Sequence, residues 1–247
     1  MIGKVALVTG AGSGIGRATA IAFGKAGSTV VVADISPAEG PETVRVIEEA
    51  GGKAAYQFCD VSRNGDVQAM VDRTVEEFGR LDFACNIAGI HNPMPESLAD
   101  ADEETWDRII AVNLKGVFLC MKHEVRHMLR QGKGVIVNMA SLAEILAEPG
   151  CYAYVASKHG IMGLTKVAAF DYAKAGICIN AVCPAAIDTR GLQQAPEEFR
   201  RRLREATPLG RIGAPEEVAA AVLWLCSDSA GFVTGTGIVL DGGVSTV

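Results

Sequence analysis

A doubly wound α/β fold, built on a parallel sheet with helices on both faces, is the architecture this sequence predicts, and three observations predict it. Short β-branched or apolar runs alternate with longer helical patterns along almost the whole chain, glycines fall where those helices should stop, and the first run passes straight into a glycine-rich turn. Strands alternating with helices pair in parallel through right-handed crossovers, which leaves both faces of one sheet to be covered.

The elements follow in order. Strand candidates lie at 5–8, 29–33, 54–58, 83–85, 134–138, 177–182 and 238–240, about seven strands rich in β-branched or apolar residues. Helices are expected between them at 14–26, 40–50, 64–78, 102–130, 151–175 and 215–227. Gly51-Gly52, Gly79 and Gly176 each stand where a helix should give way to the next strand. The apolar periodicity of 151–175 runs through Ile161, Leu164 and Phe170. Val218 to Cys226 is the most apolar stretch, too short to cross a bilayer and therefore read as a buried helix. With 247 residues a single α/β domain can fill one large core, so residues 1–247 are expected to form one domain. Residues 189–207 interrupt the alternation with Gly191, Pro196 and an Arg/Glu-rich stretch, and they are the natural lid.

Composition narrows the function. A net charge of −6 removes a general electrostatic attraction to nucleic acid or to an anionic membrane surface. Seven cysteines are scattered without CxxC pairs or metal-like Cys/His spacing, which points to reduced, mostly buried thiols in a cytoplasmic protein and to no metal site. The chain enters a strand at once, so no leader segment is expected.

Thr9-Gly10-Ala11-Gly12-Ser13-Gly14-Ile15-Gly16 follows the first strand and opens the first helix. Glycines there let the backbone turn sharply and approach a pyrophosphate, and the free N–H groups at the helix start attract its charge. Ile15 stands where the third glycine of GxGxxG would fall, so the pattern present is TGxxxGxG. Asp34 closes the second strand at the distance where a carboxylate accepts from adenosine ribose hydroxyls. It would repel a 2′-phosphate, and neither Ser13 nor Ile35 supplies a compensating cation, so NAD is expected over NADP. Asp60, with Val61 beside it, is placed either to accept from an adenine amino group or to cap a helix near Ser62. Asn86, Ala88 and Gly89 end the fourth strand with small residues that would let the backbone run against a cofactor.

On the 151–175 helix Tyr154 and Lys158 are four residues apart and share one face, whereas Tyr152 points away. An adjacent ammonium and an oxidised nicotinamide would both favour the phenolate of Tyr154, making it a general base. Ser141 could donate to and accept from the substrate oxygen.

TGxxxGxG, Asn86-x-Ala88-Gly89, Asn113, Ser141 and Tyr154-xxx-Lys158, in that order, resemble the short-chain dehydrogenase/reductase family, whose fold is Rossmann-type. The likeness continues through Asn180-Ala181-Val182-Cys183-Pro184 with Thr189 to Asp241-Gly242-Gly243. It implies that Tyr154 is the acid/base, Ser141 the partner of the substrate oxygen and Lys158 a ribose ligand and pKa modifier. Asn113 would complete a proton relay, and Pro184, Ile187 and Thr189 would border the cofactor. It also implies a homotetramer acting on a small secondary alcohol or ketone. Ile87, Ala140 and Ala185 depart from the usual asparagine, serine and glycine of the family, leaving the reacting groups intact. Enoyl reductases of the family space tyrosine and lysine more widely. The alternatives are an NAD-dependent epimerase or reductase of a related branch, and a dinucleotide-sensing regulator without turnover. His91 is expected as a loop residue, and Glu144 and Glu148 either meet a polar substrate or face water. Substrate contacts should come from 91–97, 141–148, 184–190 and the lid, with Leu142, Ile145 and Leu146 making that wall partly apolar.

Overall fold

Residues 1–92 and 94–246 are described in a computed structural model. Pro93, inside the 91–97 segment expected at the substrate, lies outside the described residues. The strands are β1 (Val5–Thr9), β2 (Thr29–Asp34), β3 (Lys53–Phe58), β4 (Phe83–Asn86), β5 (Gly134–Met139), β6 (Ile177–Pro184) and β7 (Gly237–Leu240). They form one parallel sheet in the order β3-β2-β1-β4-β5-β6-β7. The order reverses between β1 and β4, which opens a crevice at the carboxyl ends of those strands.

Side chains alternate across the sheet, and each set packs on its own helical layer. Leu7, Val31, Ala84, Ile136 and Ile179 belong to one buried cluster with Val67, Met70, Val117 and Ile161. Ala6, Val8, Val30, Val32, Cys85 and Val137 belong to the other, with Ala20, Phe23, Val218 and Val222. The helices are α1 (Gly14–Lys25), α2 (Glu39–Glu49), α3 (Asn64–Phe78), α4 (Glu103–Ile109), α5 (Gly116–Gln131), α6 (Tyr152–Tyr172), α7 (Arg190–Gln193), α8 (Glu197–Ala206) and α9 (Pro215–Leu225), of which α1, α3, α5, α6 and α9 supply these core residues. Gly79 and Gly176 stop the helical runs before β4 and β6 with φ of 74° and 76°, as their placement in the sequence predicted.

One element differs from expectation. The helix read over 102–130 is divided by a π-helical turn, Ile110–Lys115, that carries Asn113. Such widened turns cluster at functional sites, because they re-aim a side chain without ending the helix. Residues 189–207 contain α7 and α8. On α8, Arg201 pairs with Glu198 and Glu205, and Arg202 with Glu198, the pattern of a solvated helix face. No helix among the described residues is long and apolar enough to cross a membrane.

Candidate active site

The crevice is a cleft of about 630 Å³ at the carboxyl edge of the sheet. Its floor is the turn after β1, where Gly10, Ser13, Gly14, Ile15 and Gly16 all line the wall. A Cβ on Gly10, whose φ is +65°, would stand 2.8 Å from the Ala88 Cα, and one on Gly16 would collide with the Gly10 carbonyl. Only bare backbone fits there, and its close approach leaves N–H groups open to the cleft. Thr9 ties this floor to β4: its hydroxyl oxygen accepts from Ile87 N–H (3.0 Å) and Ala88 N–H (3.2 Å). The backbone of Asn86-Ile87-Ala88 is thus anchored without help from the side chain of residue 87, so the isoleucine there leaves the turn intact.

At one end of the cleft stand Asp34, Asp60 and Val61. The Asp34 carboxylate accepts from Gly12 N–H at 2.7 Å and from Ser36 N–H at 2.8 Å, which pins it beside the glycine turn. Asp60 accepts from the Ser62 N–H (3.0 Å) and hydroxyl (2.7 Å), a local turn ahead of α3, whose N-cap is Arg63. Arg190, at the start of α7, lines the cleft and forms an ion pair with Glu39 of α2. The sequence reading missed this pair, although a basic residue directly after Thr189, which borders Gly14, was its available signal.

The reacting groups gather beyond β5. Ser141 caps a short 3₁₀ turn, Leu142–Glu144, accepting from Ala143 N–H at 3.1 Å. Its own proton is therefore free to turn toward the Tyr154 hydroxyl. Tyr154 sits in the first turn of α6, and the Lys158 ammonium, one turn on, is 5.4 Å from the centroid of its ring. Lys158 is 4% exposed and donates to the Met139 carbonyl at 2.8 Å. Burial pushes the Tyr154 phenol up to about 12, against the opposing Ser141 hydrogen bond, and pushes Lys158 down to about 8. Both displacements oppose a phenolate stabilised by an ammonium.

Asn113 is fully buried and grips Ile90 from both sides, accepting from its N–H and donating to its carbonyl, each at 2.8 Å. It also donates to the Ser157 hydroxyl at 3.2 Å. The amide is thus a clamp on the loop after β4. That loop delivers His91, whose ring lies against Tyr154 with centroids 4.2 Å apart. His91 Nε2 is 2.9 Å from Glu148 Oε1, and these two with Cys151 place one donor atom each within 4.8 Å of one another. His91 is a loop residue, as the sequence predicts, and its ring reaches from the loop after β4 to the first turn of α6, a contact that no local pattern announces.

Other expected cofactor residues stand elsewhere. Asn86 turns away from the cleft, donating to Glu124 Oε2 (3.1 Å) and Asn138 Oδ1 (3.0 Å) in a buried network completed by Asn138 donating to Thr165. Glu124 is fully enclosed, and burial pushes its carboxyl up to about 8. Ala88, Gly89 and Thr189 do line the cleft. Ile187 borders a separate cavity of about 210 Å³, and Pro184 closes β6. Met139, Arg108 and Val112 line the cleft without having been singled out.

A family model described as enoyl-(acyl carrier protein) reductase matches residues 10–245. The chain is 43% identical over 250 residues to 2,5-dichloro-2,5-cyclohexadiene-1,4-diol dehydrogenase of Sphingobium indicum, covering 99% of this chain and 98% of the relative. It is 44% identical to cyclohexanol dehydrogenase of an Acinetobacter species, covering 97% of this chain and 94% of that one. The crystal structure of levodione reductase superposes with a TM-score of 0.96 at 34% identity, over 100% of this chain and 99% of the other. Sequence, topology and the carboxyl-edge cleft agree, and the chain belongs to the short-chain dehydrogenase/reductase family of oxidoreductases.

Proposed function

We propose that the protein is an NAD(H)-dependent dehydrogenase that moves a hydride between nicotinamide and a small secondary alcohol or ketone, with Tyr154 as acid and base. The observation that carries this reading is the grouping of Ser141, Tyr154 and Lys158 beside a cleft whose glycine floor only backbone can form. Bound there, a nicotinamide dinucleotide supplies the hydride acceptor and, when oxidised, a positive charge. Ser141 donates to the alcohol oxygen, Tyr154 takes its proton as the hydride leaves carbon, and Lys158 holds a ribose hydroxyl and lowers the Tyr154 pKa. Asn113 keeps the loop over Tyr154 in place. Asp34, fixed by two backbone donors, accepts from the adenosine ribose and disfavours a 2′-phosphate. Asp60 and Val61 border the adenine, Ala88, Gly89 and Thr189 the rest of the cofactor, and 189–207 closes over it.

The cyclohexanol and diol dehydrogenases among the relatives favour a ring-bearing secondary alcohol. Exposed Phe170 on α6 and Phe232 ahead of β7 suit the two-fold interfaces of a homotetramer. The test is a panel of secondary alcohols assayed with NAD by NADH absorbance. Tyr154→Phe should cut kcat by about 10² to 10⁴ while NAD affinity stays within a few fold, and Tyr152→Phe should remain active. A Tyr154→Phe enzyme retaining a tenth of wild-type kcat would reject Tyr154 as the base.

A further inference from the structure

Beside Tyr154 lies a polar pair that the reaction as described leaves without a task. His91 Nδ1 faces the Asn92 carbonyl at 3.1 Å and Nε2 faces the Glu148 carboxylate at 2.9 Å. Both partners are acceptors, so both ring nitrogens satisfy them only when each carries a proton, and the Glu148 hydrogen bond favours that imidazolium by raising the ring's pKa. Glu148, hydrogen-bonded through one oxygen to His91, keeps lone pairs for a second donor. The two side chains are 46% and 42% exposed, and the His91 ring lies against that of Tyr154, so the pair stands partly open to solvent beside the reacting group. They are held there from both sides. Asn113 clamps Ile90, the Cys151 N–H donates to the Glu148 carbonyl at 3.1 Å, and the Glu96 N–H donates to the Gly150 carbonyl at 3.3 Å, joining the two loops. Exposed Ile145 and Leu146 lie between Ser141 and Glu148 in sequence and give the same loop an apolar face.

We propose that His91 and Glu148 form a second oxygen-recognition point, and that the preferred substrates are ring compounds bearing, besides the reacting carbinol, a second hydroxyl or carbonyl on the far side of the ring. This rests on Tyr154 and Ser141 holding the reacting oxygen. The apolar body of the ring then lies along Ile145 and Leu146, and its far oxygen reaches the pair. The free lone pairs of Glu148 accept from a hydroxyl, and for a carbonyl the His91 Nδ1–H exchanges the Asn92 carbonyl for that of the substrate, so one pair serves diol, hydroxyketone and dione. The far oxygen is unchanged by the reaction; only the carbinol at Tyr154 loses hydride and proton. A simple cyclic alcohol leaves the pair facing water and gains nothing from it.

The experiment compares kcat/KM for cyclohexanol and 1,4-cyclohexanediol with NAD, in the presence of EDTA because the His91, Glu148 and Cys151 donors lie close enough together to take up a stray cation. Wild type should favour the diol by about tenfold to a hundredfold, the worth of a hydrogen bond to a charged group. His91→Leu should abolish that preference while changing cyclohexanol turnover less than about threefold, and His91→Gln, which keeps a donor, should restore part of it. Equal losses on both substrates in His91→Leu would show a loop staple and overturn the proposal, as would a wild type with no preference for the diol. Binding of 1,4-cyclohexanedione and cyclohexanone to the enzyme–NADH complex, read by NADH fluorescence, gives the same comparison without turnover. Activity surviving in Tyr154→Phe would instead remove the acid/base reading, while a dione preference lost in His91→Leu would still stand for the pair.

Discussion

Replacing Asp34 by alanine should change cofactor choice more than it changes chemistry, and the size of the effect follows from the bonds the carboxylate makes. Gly12 N–H at 2.7 Å and Ser36 N–H at 2.8 Å hold it rigidly at the edge of the cleft, so it cannot swing away from an incoming phosphate. A unit charge pair about 4 Å apart at an effective dielectric of about 20 repels by roughly 4 kcal/mol. Solvent in an open cleft halves this to about 2 kcal/mol, still about thirtyfold in kcat/KM. Glu39 adds a second carboxylate nearby, and its ion pair with Arg190 occupies a cation that could otherwise greet a phosphate. Wild type should therefore prefer NAD by at least about thirtyfold.

In Asp34→Ala two effects move the ratio together. Rejection of NADP is relieved, and NAD binding weakens by about 1 to 3 kcal/mol through lost ribose hydrogen bonds. Gly12 and Ser36 also lose their acceptor, so the melting temperature should fall. Asp34→Asn separates the contributions, because it keeps an acceptor oxygen and removes only the charge. Adding arginine at Ile35 in the Asp34→Ala background should raise NADP use further, since the phosphate gains a partner. The assay is kcat/KM for both cofactors at one ionic strength with saturating alcohol, repeated at higher salt, where the wild-type preference should narrow. A wild-type enzyme that uses NADP as well as NAD would refute the reasoning.

Two further outcomes follow from buried titrating groups. Lys158 is pushed from 10.5 down to about 8, so the native state pays for its charge below that pH. Lys158→Met should then abolish turnover yet raise the thermal midpoint, most below pH 8 and progressively less as the pH climbs to 10.5; a midpoint lowered equally at every pH would remove the buried charge as the cause. Glu124 is pushed from 4.5 up to about 8, so between those values the folded protein keeps a proton that the unfolded chain releases, and stability falls with rising pH by about 1.4 kcal/mol per unit. Glu124→Gln does not ionise, so its stability advantage in urea should widen from pH 5 to pH 8, and a constant difference would contradict the assignment.

What the sequence made legible was whatever a local pattern decides. Seven apolar runs mark the strands because a buried parallel strand needs apolar residues on both faces, and the four-residue spacing of Tyr154 and Lys158 sets them on one helical face. The glycine turn was readable because Gly10 and Gly16 stand where no Cβ fits. The rest depends on contacts between distant segments. The π turn at Ile110–Lys115 accompanies the clamp of Asn113 on Ile90, 23 residues away, and the helical period alone gives no hint of it. Asn86 faces inward because Glu124 waits on α5, and His91 meets Glu148 across 57 residues of chain. Both pairings join loops or elements whose relative position only the folded sheet decides.

On the proposed reading, these buried pKa displacements also bear on the order of events. Burial holds the Tyr154 phenol up at about 12 and draws Lys158 down to about 8, and the ammonium spends a hydrogen bond on the Met139 carbonyl. Tyr154 is then a neutral phenol at physiological pH and a poor base. A cation placed near both groups favours the phenolate directly, and a ribose hydroxyl offered to Lys158 gives the ammonium a second acceptor and steadies its charge. Neither change requires movement of α6. On that reading the charge of an oxidised cofactor would supply what the protein's own residues do not, and proton transfer from the alcohol to Tyr154 would belong to the complex that holds both.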